Sequence, residues 1–256
     1  MNITLIGSGN VATWMAQRLQ NSAKFRITTV YSRNIENALK VAALSGARAT
    51  DNVENIDKNA DLYILSLSDS AYEDFLSRLD FKMKSAFMTS GTVSCRCLEG
   101  KSGNYGVIYP LQTLTKAQDM RNIEVPLCVE SVHAGSMSAT LRDLCSELSP
   151  SCEEVSEEQR ASIHLAAVFA CNFSNAMYTI ADKILSDNNL NLSLLLPLLK
   201  NTVAKLEEMP PREAQTGPAA RGDRNVMERH LESLSDKKIR ELYTLVSDFI
   251  MSQKSC

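Results

Sequence analysis

The sequence predicts an α/β domain on a mostly parallel sheet, followed by an all-α C-terminal domain. Three observations predict it. The chain opens on a short apolar run that breaks at two glycines into a helical pattern. β-Branched and apolar runs then alternate with amphipathic stretches as far as about residue 155. Beyond that point the strand pattern stops and helical periodicity takes over.

The opening stretch is Met1-Asn-Ile-Thr-Leu-Ile-Gly7-Ser8-Gly9-Asn10-Val11-Ala12. Ile3, Leu5 and Ile6 read as a buried strand, and Gly7 and Gly9 sit where a strand must turn sharply into a helix. Gly7 supplies backbone dihedrals closed to other residues. Gly9 would let the main chain approach a pyrophosphate, and Ala12, at the third small position of a G-x-G-x-x-G/A fingerprint, would let helix and strand pack closely. The helix from Asn10 to about Gln20 would point free N–H groups and its positive dipole end at that phosphate. Glycine turns also join strands to helices without any ligand, but here the motif stands in the strand–turn–helix context of a Rossmann-type domain.

Arg26–Tyr31 is β-branched and reads as the second strand. A dinucleotide fold that prefers NAD places Asp or Glu after it, to accept from the ribose 2′-OH. This chain has Ser32-Arg33-Asn34. A guanidinium suits a 2′-phosphate and the hydroxyl beside it adds a donor, so the expected cofactor is NADP(H). The plainer reading is an exposed arginine with a helix N-cap at Ser32 or Asn34.

Farther on, Ile35, Ala38, Leu39, Ala42 and Ala43 share a helical face, with Gly46 as its C-cap, and Ala47–Thr50 is a short third strand. Asp61–Leu67 is a strong apolar strand ending at Ser68-Asp69, and Ser70-x-x-Glu73 reads as a capping box for the helix after it. Ser85–Met88, Tyr105–Tyr109 and Glu124–Glu130 are further strands, Ala134–Leu148 a helix and Cys152–Val155 a last strand. Ligands of such sheets bind beyond the carboxyl ends of the strands. The candidate cofactor residues are therefore Gly7, Ser8, Gly9, Asn10, Val11, Ser32, Arg33, Ser68, Ser90, Gly91 and Pro110.

A boundary near 155 separates a nucleotide-binding domain, residues 1–155, from a helical domain, residues 156–256. Ser156-Glu-Glu-Gln159 is a second capping box opening one helical run to about Asp187. Between Ala161 and Phe173 that run is apolar nearly all round, which predicts burial in a domain centre or a subunit interface. His164 and Asn172 interrupt it about two turns apart. Both are either satisfied structural groups or the lining of a ligand cleft, His164 donating a proton and Asn172 orienting a carbonyl, imine or amide. Ser193–Met209 is helical, a turn at Gln215–Pro218 launches a helix through Arg221, Asp223 and His230, and Asp236–Ser252 is a last amphipathic helix. Thr216, Gly217 and Arg221 would suit a carboxylate or phosphate; alternatively this is a helix-entry turn with an internal Arg221–Asp223 pair.

The bulk composition narrows the classes. The 256 residues are 44% hydrophobic and 22% charged, with a net charge of -3, which gives no electrostatic reason to expect nucleic acid or a membrane surface. No apolar run approaches the ~18 residues of a membrane span. A strand from residue 2 leaves no room for a signal peptide. The 7 scattered cysteines, without a C-x-x-C pair, read as reduced thiols of a cytoplasmic protein rather than as a metal site or disulfide framework.

Four stretches together resemble a family: Gly7–Ala12, Tyr109-Pro110-Leu-Gln-Thr113, His164…Asn172-Phe173, and Gln215-Thr-Gly-Pro-Ala-Ala-Arg221-Gly-Asp223…His230-Leu231. They are similar to the Rossmann-like proteins with a C-terminal helical domain of unknown function, labelled deazaflavin-dependent NADP oxidoreductase-like, within the wider 6-phosphogluconate dehydrogenase-like and pyrroline-5-carboxylate reductase-like group. The resemblance implies an NADP-linked reductase architecture in which the helical domain makes a homodimer and closes the active site. One position departs from the family pattern, which has a histidine before Pro-Leu-Gln-Thr; a Tyr109 phenol, of ordinary pKa about 10, is a poorer acid there. The Lys…Asn pair of related reductases is likewise absent, His164 and Asn172 standing on the corresponding helix.

The expectation is an NADP(H)-dependent oxidoreductase acting on a small, carboxylated carbonyl or imine substrate in an interdomain cleft. His164 is the expected proton donor, Asn172 the substrate orienter and Arg221 the anion anchor, with Ser90, Gly91 and Pro110 flanking the nicotinamide. The alternative is a non-catalytic NADP(H)-binding sensor or regulatory dimer. A methyltransferase-type nucleotide site is a third option, but it too would want an acidic residue where Arg33 stands.

Overall fold

The structure, a computed structural model, describes residues 1–131 and 139–253. The strands are β1 (Asn2–Ile6), β2 (Arg26–Tyr31), β3 (Arg48–Thr50), β4 (Leu62–Leu65), β5 (Met83–Met88), β6 (Ser102–Pro110), β7 (Leu127–Ser131) and β8 (Cys152–Glu154). They form one sheet in the order β3-β2-β1-β4-β5-β6-β7-β8. The first six run parallel, and β7 pairs antiparallel to β6 with β8 parallel to β7. The order reverses between β1 and β4, the switch point beside which doubly wound sheets bind nucleotides.

Strand alternation builds the two faces. Ile3, Leu5, Leu62 and Ile64 point to one side, under α1 (Asn10–Leu19), α2 (Ile35–Ala43) and α4 (Ala139–Leu148). Ile6, Tyr63 and Leu65 point to the other, where α3 (Tyr72–Ser77) adds Tyr72, Phe75 and Leu76. β4 is buried along its whole length, as a central parallel strand covered on both faces must be. Of the helix expected over 134–148, residues 134–138 lie outside the described residues.

α5 (Glu157–Ala167) opens on the expected capping box, Ser156 accepting from the Gln159 backbone N–H and Gln159 from that of Ser156. The other expected box, Ser70 with Glu73, does not form. A 3₁₀ turn at Asp69–Ala71 starts earlier and takes Ser70 into it, so α3 begins from Ala71 without a side-chain cap. A π-helical turn at Val168–Phe173 joins α5 to α6 (Ser174–Ser186), so His164 and Asn172 are not separated by regular α-helix.

α7 (Leu196–Ala204), α8 (Pro211–Ala214), α9 (Pro218–Arg221), α10 (Arg224–Ser233) and α11 (Lys237–Ser252) complete the chain. The single helix expected from Pro218 through His230 is two. Gly222 takes a left-handed φ of 76° and closes α9, and the Asp223 carboxylate then caps α10 by accepting from Val226 N–H. Two compact units result, Met1–Cys171 and Asn172–Cys256. Among the described residues, no helix is long and apolar enough to cross a membrane.

The expected burial of the 161–173 stretch is not met within one chain. Leu165 is 59% exposed and Phe169 64%. The helices of the second unit likewise bury few side chains, those of Ala219, Ala220 and Ser247 among the described residues, the rest being half-buried or exposed.

Candidate active site

Gly7 turns the chain out of β1 with φ 120°, its N–H donating to the Tyr31 carbonyl at 2.8 Å. A Cβ there would lie 2.0 Å from the Ser66 carbonyl oxygen, so β1 and β4 leave room for glycine alone. Gly9 differs. It has ordinary extended dihedrals, and a Cβ on it would meet no atom of the described residues within 4 Å. Nothing inside the protein requires glycine at this position, and the space above it is open. Gly9 is also the N-cap of α1, yet it offers no side-chain cap, and the first turn of α1 contains no acidic residue. The helix start therefore presents backbone donors without a side-chain acceptor. Ala12, fully buried, provides the close packing of helix on sheet.

A pocket of about 180 Å³ collects Gly7, Ser8, Gly9, Ser32, Arg33 and Ser68 with residues that sequence reasoning did not single out, among them Tyr31, Asp74 and Arg78. The Ser8 and Ser32 hydroxyls share a hydrogen bond of 2.8 Å, tying the glycine loop to the turn after β2. Asn34 caps α2, so Ser32 and Arg33 are spared that task. Asn10 and Val11 lie outside this lining; the Asn10 amide donates to the Leu114 carbonyl at 2.7 Å. Lys116 extends to the Ser8 carbonyl, an ammonium beside the glycine loop that no local motif signalled. Open space, helix-start N–H groups without a side-chain cap and cationic side chains make a donor set that fits a dinucleotide phosphate chain.

The second cluster stands on the same carboxyl edge, beyond β5 and β6. Ser90 is buried and its hydroxyl is committed internally, donating to Asp69 Oδ1 at 2.7 Å and accepting from the N–H groups of Thr92 and Val93. Thr92 donates to the other Asp69 oxygen at 2.6 Å. Gly91, next in the loop, packs against His164: a Cβ would lie 2.6 Å from His164 Nδ1 and 3.1 Å from the Tyr109 ring. Tyr109 Oη and His164 Nδ1 are 3.0 Å apart, hydrogen-bonded, and burial raises the Tyr109 phenol above its ordinary value. Pro110 is buried at the end of β6. The phenol at the departing position is thus a partner of the histidine.

Arg160, one turn before His164 on α5, is a further residue that the sequence did not point to. It is 0% exposed and pairs with Glu130 at 3.0 Å, while donating to the carbonyls of Ser90 at 3.0 Å and Val93 at 3.1 Å. Glu130 also accepts from the Cys95 thiol, which burial and this carboxylate push up to about 12. Only its position four residues before His164, on the same face, could have pointed to it.

In the second unit, Thr216 and Gly217 line a pocket of about 610 Å³ walled by that unit's own helices, with His230 and Tyr243 hydrogen-bonded at 2.9 Å in it. Arg221 is exposed and outside that lining. The alternative Arg221–Asp223 pair does not form, because Asp223 is engaged as the α10 cap. Asn172 is exposed within the π-helical turn.

Residues 2–93 match a family described as NADP oxidoreductase coenzyme F420-dependent, and residues 125–250 match a domain of unknown function, DUF2520. A crystal structure from Bacteroides fragilis, of a protein named as an NADP oxidoreductase, is 38% identical over 98% of each chain, with a TM-score of 0.91. The 1-pyrroline-5-carboxylate reductase of Streptococcus pyogenes is 17% identical over 98% of each chain, TM-score 0.66. An imine reductase from Myxococcus stipitatus, in complex with NADP+, is 16% identical over 98% of this chain and 92% of its own, TM-score 0.61. At those last two identities the likeness is one of fold. No curated protein matches the chain.

Proposed function

The chain belongs to the NADP oxidoreductase family of Rossmann-type proteins that carry the C-terminal helical domain of unknown function, and on that premise we propose that it reduces a small, carboxylated carbonyl or imine compound with NADPH. The observation that carries the reading is the Tyr109–His164 pair seated on Gly91, on the same strand edge as the open glycine loop. Gly9 and the α1 N-terminus would hold the diphosphate, Ser32 and Arg33 the 2′-phosphate. NADPH, when bound, supplies the hydride.

The protein's share of the chemistry is the proton. As an imidazolium, His164 keeps its Nδ1–H on the Tyr109 oxygen and gives up the Nε2 proton to the substrate oxygen or nitrogen. Tyr109 thereby fixes which nitrogen reacts, and its raised ionisation keeps the phenol neutral while it does so. Arg221, without a carboxylate partner among the described residues, is assigned to the substrate carboxylate. Asn172 is assigned to orient the substrate.

The test is a screen of 2-oxo acids and cyclic imines with NADPH, followed by His164→Ala on the best substrate. General-acid loss should lower kcat by about 10²–10⁴-fold while NADPH still binds. A variant within about threefold of wild type removes His164 from the role. Tight NADPH binding with no turnover across the screen would instead identify a nucleotide sensor.

The same reading includes a homodimer through the helical unit. Among its described residues this unit buries Ala219, Ala220 and Ser247 in one chain while exposing Phe173, Leu198, Leu245 and Phe249, which leaves more apolar surface than a stable monomer tolerates. A second copy covers it at no cost in new sequence.

A further inference from the structure

We propose that Arg78, held in place by the Tyr31 hydroxyl, is a second cation of the 2′-phosphate subsite and sets the preference for NADPH over NADH; this rests on the nucleotide reading above. Tyr31 is the last residue of β2 and is 2% exposed, with its ring against Phe75 at 5.4 Å between centroids. Its hydroxyl stands at the rim of the pocket and accepts from Arg78 Nη2 at 2.7 Å. Arg78 itself comes from the C-terminal end of α3, the helix that follows β4. Arg33 comes from the opposite side, out of the turn after β2, and lines the same pocket.

The charges do not cancel. Asp74 is the carboxylate in this lining, and its closest approach to Arg78 is 3.8 Å to Nε, too long for a hydrogen bond. The lining therefore carries two guanidinium groups and one carboxylate, which stands off from Arg78. Anchoring on Tyr31 uses one N–H of Arg78 and fixes the plane of the group, which lowers the entropy lost when the remaining donors engage an anion. A phosphate monoester carries between -1.5 and -2 near neutral pH and accepts a planar fork in two parallel hydrogen bonds. A ribose hydroxyl, which NADH would place there, can use neither the charge nor the fork. The chemistry selected is therefore an adenosine nucleotide phosphorylated on its ribose.

Calorimetric titration of the full chain with NADPH, NADH, 2′,5′-ADP and 5′-AMP tests the assignment. Arg78→Gln should weaken NADPH and 2′,5′-ADP about tenfold and leave NADH and 5′-AMP within twofold. Tyr31→Phe, which keeps the ring on Phe75 and removes only the anchor, should lose part of the same discrimination. Asp74→Asn, which removes the competing carboxylate, should tighten NADPH. An Arg78→Gln protein that keeps the full NADPH preference of wild type overturns the assignment. So does one that weakens all four ligands equally, which would place Arg78 on the adenine face. A wild type that binds neither NADPH nor NADH overturns the nucleotide reading itself, and this assignment falls with it.

Discussion

Gly9→Ala separates what the fold needs from what a ligand needs. The position has φ -73° and ψ -170°, open to any residue, and its new Cβ would meet no atom of the described residues within 4 Å. Two small effects on folding oppose each other. Alanine is a poorer N-cap than glycine by some tenths of a kcal/mol up to about 1. It also narrows the unfolded ensemble, which favours folding by about 0.4–1 kcal/mol. The net change should stay within about 0.5 kcal/mol, or about 1–2 °C in Tm for a chain of this size.

Binding should respond quite differently. A methyl group placed in the path of the proposed diphosphate acts as overpacking, worth about 1–3 kcal/mol, which is roughly five- to 150-fold in Kd for NADPH. Thermal melts and calorimetric titration of the same preparation read both numbers. Wild-type affinity in Gly9→Ala would refute the argument that the open space belongs to a diphosphate. Gly7→Ala is the contrasting control. Its positive φ costs about 1–2 kcal/mol in any L-residue, and the Cβ at 2.0 Å from the Ser66 oxygen forces β1 and β4 apart. That variant should lose stability and binding together.

Three other outcomes follow from single contacts. Arg160→Met should cost about 3–5 kcal/mol in urea unfolding, because it strands the Glu130 charge, and Arg160→Met with Glu130→Met should recover much of it; a single-variant cost below about 1 kcal/mol would mean that the pair does not hold the 90–93 loop. Stability should be unaffected by Tyr72 below pH 10 and fall between about pH 10 and 12, since burial raises this phenol to about 12 from 10 and the unfolded chain ionises first; thermal melts from pH 8 to 11 should show a shallower decline in Tyr72→Phe. Phe169→Asp, on a side chain 64% exposed, should convert the proposed homodimer to monomer by size-exclusion light scattering, and an unchanged mass would exclude this face from the interface.

The nucleotide half was legible because its signals are local. The glycine fingerprint occupies six consecutive residues, and Ser32-Arg33 follows a strand whose β-branched pattern is unambiguous. The direction of β7 was not legible: antiparallel pairing on β6 is decided by the connection over residues 111–126, which has no periodic pattern to read. The 161–173 stretch was read as buried because its residues are apolar nearly all round; within one chain they are exposed, and hydrophobicity cannot say whether the cover is the same chain or another copy. The capping boxes make the finer point. Ser156–Gln159 forms and Ser70–Glu73 does not, although both match the pattern, because the earlier 3₁₀ turn engages Asp69 with the 90–92 loop.

That engagement explains why His164 is well placed without any motif of its own. The loop beyond β5 is held from three directions: by Asp69 on the hydroxyls of Ser90 and Thr92, by Ser90 on the N–H groups of its own turn, and by Arg160 on the carbonyls of Ser90 and Val93. Arg160 and His164 leave α5 one turn apart, so the buried ion pair that fixes the loop also fixes the height of the helix over Gly91. Gly91 then decides how near the imidazole comes, since any side chain there would push it away from Tyr109. Rigid support of this kind is what a proton donor requires, because a donor displaced by about 1 Å forfeits much of its effect. The residues that position His164, the proposed proton donor, are therefore Asp69, Gly91, Glu130 and Arg160, scattered over four elements and joined only by the fold.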